Sequence, residues 1–131
     1  MQLAVILVKE EMMTGFKDLS VYNKALDVVK EVYDVSKKFP KEEIFGLTNQ
    51  IRRAVTSIVL NIAEGSGCES SKEFSKFLNY ALRSKHEVIA CLDISEKLEY
   101  TNNNDSYELK RKLEEISSMI VGLSRSLKRT K

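Results

Sequence analysis

The sequence predicts an all-α fold, an antiparallel up-down four-helix bundle, on three observations. Apolar residues recur at three- and four-residue spacing along four long segments. Breakers gather at only three places: Pro40 with Gly46, Gly65 with Gly67, and Asn102-Asn103-Asn104. One proline and five glycines in 131 residues leave little else to interrupt a helix. Long amphipathic helices joined by short connections must run antiparallel to their neighbours.

Helix one is expected from about Leu19 to Lys38, stopped by Phe39-Pro40 because proline disfavours helical geometry in the residue before it. The second spans Leu47 to Glu64, with Gly65 placed where a left-handed residue would end it. The third opens with Ser70-Ser71-Lys72-Glu73, a capping-box pattern, and continues to about Tyr100. Asp105, with Glu108 three residues on, opens the fourth, which runs to about Leu127 along the seam Leu109, Leu113, Ile116, Ile120, Leu123 and Leu127. The domain is thus 16–131. Residues 1–15 read as an extension, either disordered or lying ahead of the true start, since Met12 and Met13 are alternative initiators.

The first helix carries two apolar stripes: Leu19, Tyr22, Leu26, Val29 and Tyr33, and Val21, Ala25, Val28, Val32, Val35 and Phe39. Together they cover roughly 200° of circumference, where a core-facing helix needs a little over 100°. The surplus represents on the order of 10 kcal/mol of burial. That predicts a subunit interface, assigned to Val21, Val28, Val32 and Val35. In the third helix, Phe77, Ala81, Ser84, Val88, Cys91, Ser95 and Leu98 form a seam with small members suited to close packing. Lys85 falls within its apolar flank and must snorkel or pair with a carboxylate.

Composition narrows the function. Twenty-one basic against nineteen acidic residues give a net charge of +2, too little by itself to declare a nucleic-acid binder. Basic residues do cluster at Lys110-Arg111-Lys112 and in the closing stretch with Arg125, Lys128, Arg129 and Lys131. Cys68 and Cys91 are too few and too far apart for a disulfide framework, which suggests a reducing compartment and a cytoplasmic location. The apolar run 3–8 is too short to span a membrane and lacks the basic lead of a signal peptide.

No catalytic constellation emerges. His86 is the only histidine and falls away from the apolar seam, so neither a metal site nor a Ser-His-Asp system is legible. Gly65-Ser66-Gly67 lacks the strand before it and the lysine after it that a phosphate loop requires. The expectation is a non-enzyme with no metal and no cofactor.

The second helix holds the most unusual pattern. Gln50, Arg53, Ser57, Asn61 and Glu64 share one stripe at spacings of 3, 4, 4 and 3, with Gly65 following. Amides, a hydroxyl, a guanidinium and a carboxylate suit directed hydrogen bonds, either within the fold or to a partner.

The run Phe16-Lys17-Asp18-Leu19-Ser20-Val21-Tyr22, then Phe39-Pro40, then Gly46-Leu47-Thr48-Asn49-Gln50-Ile51-Arg52-Arg53-Ala54, then Ser57-Ile58 and Asn61-Ile62-Ala63-Glu64-Gly65, resembles the four-helix-bundle proteins encoded in 23S rRNA intervening sequences. The accessory protein of diversity-generating retroelements belongs to the same family. The resemblance implies a ring-like homopentamer and, for the retroelement members, a basic surface that engages a reverse transcriptase and nucleic acid. Two segments depart from the family pattern. Val59-Leu60 stands where proline and alanine are usual, and Arg83-Ser84-Lys85 where Gly-Ser-Leu is usual. The family motif maps onto Gln50, Arg52, Arg53, Ser57, Asn61, Glu64 and Gly65, as a binding site or an assembly contact.

The leading expectation is an oligomeric scaffold that binds structured RNA, or an RNA/DNA–protein complex, through Arg52, Arg53, Lys72, Lys76, Arg83 and Lys85, with Arg125, Lys128 and Arg129 behind them. The alternative is a protein–protein adaptor, for a reverse transcriptase or another protein, without nucleic-acid contact.

Overall fold

A computed structural model describes residues 19–129, with the side chain of Arg129 left out; the expectations for residues 1–15 and for Arg129 lie outside the described part. Among the described residues four α-helices form: α1 (Ser20–Ser36), α2 (Leu47–Ser66), α3 (Ser71–Lys97) and α4 (Asn103–Arg129). A single 3₁₀ turn at Lys41–Glu43 bridges α1 and α2.

Cross-helix pairs set the directions. Arg52 meets Ser36, Ser57 meets Ser84, Lys110 meets Asp93 and Lys38 lies near Asp105. Residue numbers rise on one helix as they fall on the other along α1/α4 (Lys24–Glu115, Glu31–Lys112, Lys38–Asp105), α2/α3 (Gln50–Glu87, Ser57–Ser84) and α3/α4 (Lys85–Glu114, Glu96–Lys110). These neighbours are therefore antiparallel, and α1 runs opposite to α2 as well. α1 packs on α2 and α4, and α3 on α2 and α4, leaving a square bundle with no diagonal contact of weight. Ile51, Ile58, Ile62, Leu78, Leu92, Leu113, Ile116 and Ile120 fill its centre.

The helix ends follow local chemistry. Ser70 caps α3, its Oγ accepting from the Glu73 backbone N–H at 3.1 Å as the capping pattern requires. At the other end, Glu99 takes a left-handed φ of 63°. The N–H of Tyr100 then reaches the Ser95 carbonyl at 2.8 Å and that of Glu99 reaches Glu96 at 3.0 Å, the paired bonds of a Schellman close. α4 starts two residues earlier than expected, because Asn102 rather than Asp105 is its cap: the Asn102 side-chain oxygen accepts from the Asp105 N–H at 2.7 Å. Glu43 caps α2 through the Leu47 N–H at 3.1 Å while its other oxygen accepts from the Tyr100 hydroxyl at 2.9 Å, tying the two loops at that end. Those two bonds hold the Glu43 carboxyl below its ordinary value.

Three expectations are corrected. Gly65 does not end α2; it lies inside the helix, and no glycine among the described residues has positive φ. Its role is close approach: a Cβ there would fall 2.8 Å from the Phe77 Cβ and 3.0 Å from the Phe74 ring. The second correction concerns the interface. Val21, Val28, Val32 and Val35 are buried in the chain's own core, so they are not free to join copies together. The other α1 stripe is the one left open, with Leu26 42% and Tyr33 37% exposed. Small β-branched residues let α1 settle against its neighbours, while tyrosine carries a polar tip that tolerates water. Third, Lys85 is 3% exposed and belongs to the interior.

Candidate nucleic-acid interface

Ser70 caps the start of α3, and burial of its apolar stripe against α2 and α4 sets the direction of its side chains. Leu78, Ala81, Lys85, Val88 and Leu92 turn into the core. Lys72, Lys76 and Arg83, at spacings of four and seven, then share the opposite, exposed side. They span about 16 Å along the helix axis at 1.5 Å per residue. Between them lies half-buried Tyr80. The Lys76 ammonium is 6.0 Å and the Arg83 guanidinium 5.8 Å from the centre of its ring. Phe77 braces the same ring edge-to-face at 5.5 Å. Phe77 can occupy that place because Gly65 presents no side chain to it.

The stripe continues across the foot of the bundle. Lys72 and Lys128 line one shallow cleft of about 140 Å³ between α3 and α4. Arg125, one turn before Lys128, is also exposed. None of Lys72, Lys76, Arg83, Arg125 or Lys128 makes an ion pair among the described residues. Glu87, the acidic residue a turn beyond Arg83, accepts from the Gln50 side-chain amide.

The remaining predicted contacts divide. Lys85 donates to Glu114 Oε1 at 3.1 Å from within the core and cannot meet a phosphate, a correction to its expected role. Arg52 is engaged inside the chain: its Nε donates to Ser36 Oγ at 2.8 Å and its guanidinium lies 4.7 Å from the centre of the Tyr33 ring. Arg53 is exposed, beside Tyr33 and Leu60 in an open cleft of about 520 Å³ between α1 and α2. The clusters are therefore separate: Lys72, Lys76, Arg83, Arg125 and Lys128 in one region, Arg52 and Arg53 in another. Of the Lys110-Arg111-Lys112 run, all three pair with carboxylates.

The polar stripe of α2 is used mainly at home. Asn61 donates to the Ser57 carbonyl at 2.9 Å and to its hydroxyl at 3.0 Å, while Ser84 donates to Ser57 Oγ at 2.9 Å. With the Gln50–Glu87 bond, three of the stripe's five polar members lock α2 to α3 or to α2 itself, leaving Arg53 and Glu64 outward. Tyr80 was missed by sequence reasoning. Its signal was an aromatic residue four positions after one cation and three before another, which on a helix puts all three together. Leu60 was missed as well, at 59% exposure beside Tyr33.

His86 is exposed, as its place on the helix predicts. Cys91 is buried and Cys68 half-buried, both as free thiols, and burial pushes each above the ordinary thiol value. Among the described residues no group of side chains could hold a metal ion, and no helix is long and apolar enough to cross a membrane.

A mainly apolar core, interhelical polar bonds and outward cations define an all-α, up-and-down four-helix-bundle protein whose distinctive chemistry lies on its surface. Over residues 17–122 the chain matches the family described as 23S rRNA-intervening sequence protein, and it belongs to that family. A crystal structure from Bacteroides thetaiotaomicron VPI-5482, described as a protein with unknown function from the S23 ribosomal protein family, is similar to it. The TM-score is 0.74 at 25% identity, covering 79% of this chain and 97% of that one. Comparison with curated proteins gave no significant match. Neither the family description nor that of the structural neighbour names an enzymatic activity.

Proposed function

We propose that this chain is a non-enzymatic, cytoplasmic scaffold that binds nucleic acid, structured RNA foremost, through the outer side of α3 and the adjoining end of α4. One observation carries the reading. Every ion pair among the described residues includes a residue of α1 or α4, and the five cations Lys72, Lys76, Arg83, Arg125 and Lys128 enter none of them. Unpaired cations in a row are what a phosphate backbone neutralises, releasing its counterions. Filter binding with a folded RNA at low salt tests it. The parent protein should retain RNA and lose affinity steeply with added salt. Lys72→Glu with Lys76→Glu should abolish retention while the helical circular-dichroism signal stays. Equal retention by the double variant would refute the assignment.

The open stripe on α1 favours a companion reading, in which copies of the chain assemble, as a pentamer by family resemblance, or a protein such as a reverse transcriptase docks. Leu26, Tyr33 and Leu60 expose apolar surface along the α1/α2 side, away from the α3 cations. Assembly would present several weak cationic sites at once and raise affinity through avidity. Leu26→Asp with Leu60→Asp should lower the mass seen by light scattering. An unchanged oligomer would remove this surface from consideration, and a protein monomeric from the outset would leave the adaptor role alone.

A further inference from the structure

The α3 stripe is more than a row of charges, because a braced aromatic ring interrupts it. Resting on the nucleic-acid reading above, we infer that the ligand is an unpaired strand, RNA or DNA, and that Tyr80 is the platform on which one of its bases stacks. Lys72, Lys76, Tyr80 and Arg83 follow one another along a single side of α3, at steps of four, four and three residues. Those steps correspond to about 6, 6 and 4.5 Å of axial rise. Cation, cation, ring, cation is the order that alternates phosphate contact with base contact.

The ring is prepared for this use. Phe77 meets it at 5.5 Å with an interplanar angle of 85°, and Phe77 is itself packed against Gly65, so little ring freedom remains to be lost on stacking. Lys76 and Arg83 lie at 6.0 and 5.8 Å from its centre, on long exposed side chains that can exchange the ring for a phosphate when a base arrives. A duplex has no base free to stack on a side chain, whereas an unpaired base offers a π-face whatever its identity. The inference therefore separates strand classes, which charge alone would not.

The test is fluorescence anisotropy on the full chain at about 50 mM salt, with a labelled oligouridine of about 15 nucleotides and an RNA duplex of about 15 base pairs. A matched oligothymidine arm distinguishes RNA from DNA as the source of the unpaired strand. The single strand should bind more tightly. Tyr80→Leu should lower the ratio of single-strand to duplex affinity by roughly 5- to 150-fold, the usual effect of removing a stacking partner. Tyr80→Phe should restore that ratio, while Arg83→Gln should weaken both ligands together and reduce the salt dependence. A duplex preference, or an unchanged ratio in Tyr80→Leu, overturns the inference and leaves the nucleic-acid reading standing. Failure of the parent protein to bind any of these strands overturns the reading itself.

Discussion

The α1/α4 seam and the α2/α3 seam solve the same packing problem in opposite ways. Along α1/α4, long charged side chains bridge the gap: Lys24 to Glu115, Lys112 to Glu31 and Lys38 to Asp105. Two open clefts, of about 170 and 230 Å³, run between these bridges. Along α2/α3, small residues bring the helices close, with Gly65 under Phe77 and a hydroxyl pair at Ser57 and Ser84. No α2 residue enters an ion pair among the described residues. A wide seam gives opposite charges room to meet and cancel. A narrow one without ion pairs leaves the cations of α3 outward, where they stay available.

Gly65→Ala should break the narrow seam and produce the largest effect. The added Cβ meets the Phe77 Cβ at 2.8 Å and the Phe74 carbonyl at 3.3 Å, and neither is the free end of a flexible chain. Urea unfolding should show a loss of about 1–3 kcal/mol, as overpacking generally costs. Because Phe77 braces Tyr80, single-strand binding should weaken in the same variant even where it remains folded. Stability within experimental error of the parent would show that the helices can part without cost.

Lys85→Met sharpens the contrast between buried and exposed cations. Lys85 is enclosed and its partner Glu114 is 62% exposed, so the pair gives up hydration on one side only. An apolar chain of similar length should leave stability unchanged or raise it by up to about 2 kcal/mol. RNA retention should be unaffected, unlike that of Lys76→Gln. A clear loss of stability would mean that the Lys85–Glu114 bond organises the α3/α4 packing.

The smallest effect belongs to the wide seam. Hydrogen bonding from Lys24 lowers the Glu115 carboxyl, and bonding from Lys30 lowers Asp34, relative to ordinary values of 4.5 and 3.8. Carboxyls depressed in the folded state contribute stability that is present above the unfolded pKa and lost as pH falls through the folded one. Melting temperature should therefore decline below about pH 4.5, and less steeply in Lys24→Ala. Asp34 is exposed and Glu115 half-buried at the surface, so added salt should shrink the difference. An identical pH profile for the variant would show that the bridge contributes nothing.

Much of this was legible before any coordinates. The 4-3-4-3 seam of α4 placed Leu109, Leu113, Ile116 and Ile120 in the core, and all four are buried there. Ser70 with Glu73 announced the start of α3. Lys85 was grouped with Lys72, Lys76 and Arg83 as a contact although its apolar surroundings already required pairing or snorkelling; the structure leaves those three exposed and buries Lys85. Less could be read where two answers share one pattern. Both α1 stripes are apolar at helical spacing, and which faces inward depends on α2 and α4, not on α1. A glycine at the expected end of a helix looks the same whether it terminates the helix or admits a neighbouring phenylalanine.

What the sequence determined by itself were the quantities that reside in one helix: periodicity, caps, breakers and the side on which each residue falls. These depend on neighbours within a turn or two, which the chain order supplies directly. Tertiary structure alone decided which valine face met the core, that Gly65 makes room for Phe77, and that Ser57 answers Ser84. Each of those requires two helices at a definite distance and rotation, and that relation arises only when separate stripes compete for one shared interior.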